Sequence, residues 1–237
     1  MSFIPNNLLS LHTQEEVLRE KALITLNQSK NCHLHLTVIE AAMDLADVYR
    51  QFEIECEDVR IVQVLGIRTF NAFGASLKLS FSGYQQNAAL VMRDVLETIF
   101  LLSYFSTNKH DIALWRNADK KTRLGKFGPA KIRKALDKRD GFTSGKRDEA
   151  YDLFCELAGH PNVRMADMLR PTPDSKIALG PFLEPSSLEA VLAEMGKLAV
   201  QVGENLSIFI SDVCSSPHKS QIHFNSVKTD WIKHFFG

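Results

Sequence analysis

AALVMRDVLETIFLLSYF, residues 88–105, is apolar on nearly every side of a helix and yet carries Arg93, Asp94 and Glu97. A helix of that texture belongs at the centre of a helical body, since only a fully surrounded segment can remove all its apolar faces from water. Its charges interrupt the run too early for a bilayer span. They also need partners, because a buried ion without one loses its hydration and receives nothing comparable in return. Arg93 and Glu97 lie four residues apart and so share a face, which also carries Ala89, Phe100 and Tyr104.

A second segment supports the same architecture. In LEAVLAEMGKLAVQVGENLSIFISDV (188–213), Leu188, Leu192, Met195, Ala199, Val202, Leu206, Phe209 and Val213 alternate by four and three residues, a sustained heptad seam. The expectation is a long antiparallel bundle helix, the alternative a coiled-coil homodimer through the long helices. Gly196 and Gly203, seven apart on an adjoining stripe, leave room for another helix to approach closely.

Outward from these two segments, the pattern predicts helices over about 14–28, 33–52, 58–81 and 146–158, with shorter turns near 109–116 and after Pro129. Thr13 with Glu16 and Ser186 with Glu189 have the form of capping boxes. Pro171, Pro173, Gly180, Pro181 and Pro185 mark a loop near 170–185. The expected fold is all-α: an irregular multi-helix bundle of about six or seven helices in a single domain over 1–215, followed by a polar tail over 216–237 that ends in a short amphipathic piece.

Composition narrows the function classes. Lys+Arg and Asp+Glu both number 28 in 237 residues, so no net charge draws the chain toward nucleic acid or anionic membrane. The balance is uneven, however: residues 116–147 hold twelve Lys/Arg against three acids, and residues 37–58 hold seven acids against Arg50. These blocks can face each other within one chain or across a dimer, or the basic one can hold RNA or another anionic ligand. Cys32, Cys56, Cys155 and Cys214 are widely spaced without a CxxC pair and read as free thiols in a reducing compartment. With no secretory start and no membrane segment, a cytoplasmic chain is expected. No metal or cofactor motif is present, and the spacing of Cys214, His218, His223 and His234 matches no common zinc site.

Two groups of residues carry chemistry. Arg93 with Glu97 can pair within the helix, or present a guanidinium fork to an anion. In YDLFCELAGHP (151–161), Tyr151 and Cys155 are one turn apart and His160 follows where the helix runs out, either compensating the helix C-terminus or acting as a proton shuttle. This combination resembles a group of uncharacterised bacterial all-helical proteins, some of which are compared with the HEPN superfamily of RNA-cleaving toxins and defence proteins; the resemblance covers about Tyr84 to Phe209. It implies that Arg93, Glu97, Tyr151 and His160 cluster between helices as candidate catalytic residues. The nuclease-active HEPN motif places an Arg four to six residues before a His on one helix, and none of the eight histidines here has one. A ribonuclease or stress- and phage-defence toxin would therefore need Arg93 and His160 to meet in space. The first expectation is a non-catalytic binding or interaction module with a buried polar cluster.

Overall fold

The computed structural model describes residues 4–237, and among them every regular element is helical. There are ten α-helices rather than six or seven: α1 (Asn6–Gln28), α2 (Lys30–Arg50), α3 (Glu57–Phe81), α4 (Gln85–Thr107), α5 (His110–Asn117), α6 (Lys120–Phe127), α7 (Pro129–Arg139), α8 (Lys146–Phe154), α9 (Pro185–Val213) and α10 (Lys219–Phe236). A single π-turn (Cys155–Gly159) extends α8, and a 3-10 helix (Val163–Leu169) follows it. Among the described residues, no helix is long and apolar enough to cross a membrane.

The core is a ring of four helices, α2, α3, α4 and α9. Ala88, Met92, Val95, Leu96, Ile99, Leu102 and Phe105 of α4 are each at most 2% exposed, as the apolar text of 88–105 requires. Short links of residues 51–56 and 82–84 make α2, α3 and α4 run up, down and up. Gln63 on α3 donates to the carbonyls of Tyr49 and Phe52 (both 2.9 Å), closing the end of α2.

α9 corrects the expected antiparallel arrangement in part. Its seam from Leu188 to Phe209 is buried, and it runs antiparallel to α3 but parallel to its two ring neighbours, α2 and α4. Its start meets the starts of α2 (Asn31 Nδ2 to Glu189 Oε1, 2.8 Å) and of α4, and its later turns lie against Ile99 and Ser103. A parallel return needs a crossover as long as the helix itself. The segment from α5 to the Pro-rich loop is that crossover. It is tied to the bundle at Asp111, 3% exposed, which accepts from Tyr104 of α4 (2.6 Å) and Lys126 of α6 (2.8 Å).

The stretch expected to be a polar tail is instead the eighteen-residue α10, which packs antiparallel on α2 and α9. His218 caps it by accepting from Ser220 N–H, while Gln221 returns a bond to the His218 N–H (2.7 Å). The two glycines of α9 give it room. A Cβ on Gly203 would lie 2.2 Å from the Phe224 ring, and one on Gly196 would lie 3.2 Å from both Trp231 and His35. Phe224 and Trp231 are 0% and 3% exposed, each worth about 1.5–3 kcal/mol of burial.

The two expected capping boxes are not formed. Prolines begin both helices earlier, α1 after Pro5 and α9 at Pro185, where the missing N–H costs nothing. Thr13 thus falls inside α1 and bonds to the Leu9 carbonyl (2.9 Å), and Glu184, rather than Ser186, caps α9 by accepting from Ser187 N–H (2.8 Å).

Candidate functional site: a guanidinium clasp beside an apolar cavity

Arg93 leaves the core side of α4 toward α7 and α8. Its Nη2 donates to the Tyr151 hydroxyl at 2.6 Å and reaches Glu97, one turn on, at 3.4 Å. Tyr151 also receives a second cation: the Arg133 guanidinium of α7 stands 4.0 Å from the ring centroid, against 5.0 Å for Arg93. Arg133 is 7% exposed and its Nε donates to Asp148 of α8 at 2.5 Å. One phenol ring therefore faces two guanidiniums, an arrangement favoured by the negative face of an aromatic ring.

The π-turn completes the enclosure. Its extra residue closes the His160 N–H onto the Cys155 carbonyl (3.0 Å) and lays Gly159 on Arg93, so that a Cβ there would sit 3.2 Å from Nη1. Arg93 Nε and Arg133 Nη1 are buried without hydrogen-bond partners. Burial raises the pKa of Tyr151; Arg93 opposes this, while Cys155 and Glu97 reinforce it. The phenol is thus neutral at pH 7 and serves as a hydrogen-bonding group rather than a base. Burial also works against the Arg93 charge, but Tyr151, Cys155 and Glu97 outweigh it and its pKa is raised.

Of the four residues singled out from the sequence, the structure brings together Arg93, Glu97 and Tyr151. His160 caps the π-turn through its backbone, and its imidazole is exposed with no hydrogen bond. Asp94, the third charge of the opening stretch, points elsewhere and pairs with Arg68 of α3. Arg133 was hidden by the basic texture of its segment, and Asp148, just beyond it, read only as an acid in the first turn of its helix. The only signal was the position of Arg133 beside Ile132 and Leu136, on the border of an apolar stripe. Two guanidiniums and two carboxylates around a neutral phenol balance in charge and join α4, α7 and α8 as a clasp.

On the neighbouring face of α4 lies a cavity of about 170 Å³. Ala89 and Met92 of α4, Phe154 of α8, Leu157 of the π-turn, Met168 of the 3-10 helix and Val191 of α9 form its apolar walls. Phe182 closes it from the loop, placed there by Gly83. That glycine has φ +89°, and a Cβ would come within 2.9 Å of the Phe182 backbone, whose N–H donates to the Gly83 carbonyl (3.2 Å). Gln85, 3% exposed, lines the same cavity and gives its amide to the Ser80 carbonyl (2.9 Å), leaving Oε1 buried without a partner. Arg170 also lines it.

In the basic segment, five of the twelve cations are already paired: Arg116 with Asp58, Lys126 with Asp111, Arg133 with Asp148, Arg139 with Asp140, and Arg147 with Asp137 and Asp140. In the stretch GKFGPAK (125–131), Lys131 bonds to the Gly125 carbonyl. Cys56 is exposed and Cys32 and Cys155 are buried, all as free thiols. No group of three or more metal-ligating side chains occurs among the described residues.

No protein-family model matches this chain, and no curated protein or solved structure is similar to it at a level that carries an inference.

Proposed function

We propose that this protein is a non-catalytic binding module whose ligand occupies the cavity between α4, α8 with its π-turn, the 3-10 helix and α9. The observation that carries this reading is an apolar cavity of about 170 Å³ walled by four separate elements. An engineered apolar cavity of about 150 Å³ takes up benzene, so this space, whose lining also includes Asp167, Arg170 and Glu194, suits a ligand with a body of one ring and a polar edge. The Arg93–Tyr151–Arg133 clasp then has a positioning role, because it holds the π-turn that forms one wall. Nothing in the geometry favours the ribonuclease alternative, which requires His160 to act with Arg93.

The test uses protein labelled at its methionine methyl groups. Met92 and Met168 face the cavity from different walls, whereas Met195 is buried elsewhere in the core. Titration with benzene or indole is expected to shift the Met92 and Met168 signals saturably and to leave Met195 in place. Ala89→Leu, which fills the cavity, is expected to abolish the shifts. Unmoved signals in the wild-type protein, or an unchanged titration in the filled variant, would sink the reading.

A further inference from the structure

The two charge blocks of the sequence scarcely meet within one chain: among the described residues, Arg116 with Asp58 (3.3 Å) is the ion pair that joins them. The acidic block lies along α2, and over that helix, between α3 and α10, runs an open groove of about 880 Å³. Leu36, Met43, Phe70 and Leu77 floor it, and Glu40 and Asp44, exposed and one turn apart, stand on its rim without a hydrogen bond or ion pair. The basic block offers a matching shape. On α6, Leu124 is 59% exposed, and Lys120 and Lys121, four and three residues before it on the same side of the helix, have no partner.

We propose that the α2 groove receives α6 of a second copy of this chain, with Leu124 on the apolar floor and Lys120 and Lys121 against Glu40 and Asp44. Charge complementarity selects this occupant. The same molecule holds an unpaired acidic rim around apolar side chains and an unpaired basic rim around an apolar one, while its net charge of zero leaves no overall repulsion between copies. The contact joins two different surfaces, so it closes as a reciprocal pair or continues as a chain. α9 takes no part, because its seam is already buried within the monomer.

Sedimentation of the full chain tests this. Self-association is expected at about 0.1 M salt, where charges are felt over ~10 Å, and is expected to weaken at about 1 M, where the range falls to ~3 Å. Glu40→Lys with Asp44→Lys, and separately Lys120→Glu with Lys121→Glu, should each give monomers, while mixing the two reversed proteins should restore a heterologous complex. That rescue separates loss of the contact from loss of the fold. A wild-type protein that stays monomeric at low salt overturns the proposal, as does association that persists through either reversal. A monomer whose Lys120 and Lys121 instead bind single-stranded RNA overturns it in favour of a nucleic-acid surface.

Discussion

Replacing glycine by alanine at two helical positions should change stability in opposite directions. In a helix interior the exchange itself favours the folded state by about 0.8–1 kcal/mol, because alanine loses less backbone freedom on folding. At Gly74 in α3, a Cβ has nothing within 4 Å, so Gly74→Ala should realise that gain, which for a chain of this size corresponds to about 2–4 °C in Tm. At Gly203 in α9, the Cβ would lie 2.2 Å from two atoms of the Phe224 ring, whereas carbon atoms rest about 3.5–4.0 Å apart. The ring must retreat by more than ~1 Å from a site where it is fully buried. Overpacking of that kind costs about 1–3 kcal/mol, and where α10 lifts instead, burial of Phe224 worth about 1.5–3 kcal/mol is forfeited. After the helix-propensity gain is subtracted, Gly203→Ala should destabilise by about 0.5–2 kcal/mol. Thermal unfolding followed by circular dichroism measures the global effect. Trp231 emission, read in a Trp115→Phe background, reports whether α10 stays seated. A Gly203→Ala protein as stable as its parent, with unshifted Trp231 emission, would refute the claim that Gly203 is there to admit α10.

Two further outcomes follow from the polar contacts. Tyr151→Phe removes the 2.6 Å acceptor of Arg93 and should cost about 1–2 kcal/mol, and Arg93→Ala, which also strips the support beneath Gly159, about 2–3 kcal/mol; unfolding free energies from urea titration that fall by less than ~0.5 kcal/mol in both would show that the clasp does not hold these helices. His35, 2% exposed, accepts from Trp231 Nε1 (2.9 Å) and stacks on Phe235 (4.3 Å). Burial lowers its pKa from 6.5 to about 4; of the charged groups facing it, Glu189 opposes this while His234 and Lys197 add to it. Because the unfolded chain takes up this proton first, the contribution is complete above pH ~6.5 and is lost as pH falls toward ~4, by an amount of order 3 kcal/mol. Trp231 emission should therefore report loosening of α10 across that window, and His35→Gln should flatten the dependence; an equally steep acid transition in that variant would show that other groups drive it.

How much of this was legible in the chain varies with the physics involved. Helix identity was readable wherever an apolar face was broad, as in α4 and α9, because burial imposes a period on the sequence. α6 escaped notice, and α10 showed only as a short amphipathic end, because their text is mostly polar. What holds them is single anchors, Phe127 and Lys126 in one, Phe224 and Trp231 in the other, which make no sustained stripe. Helix starts were misplaced where a proline competed with a hydroxyl-bearing residue for the first turn, at Pro5 and Pro185. Within the candidate site, Arg93 with Glu97 was visible as charge in an apolar run, whereas Tyr151 entered as their partner only through the resemblance, since spacing placed it with Cys155 alone. Arg133 was not visible, since a place beside Ile132 and Leu136 is a weak mark on one buried arginine among twelve cations.

By itself, the sequence determined that the chain is helical, that residues 88–105 lie at the centre, and that Gly196 and Gly203 leave room for a neighbour, because each follows from local geometry and the cost of leaving apolar surface in water. Tertiary structure alone decided that α9 runs parallel to α2 and α4, that α10 is the helix the glycines admit, and that Tyr151 stands between two guanidiniums while His160 faces solvent. Direction, pairing and enclosure depend on contacts between residues far apart in the chain, and a periodic pattern states which face is buried without stating against what.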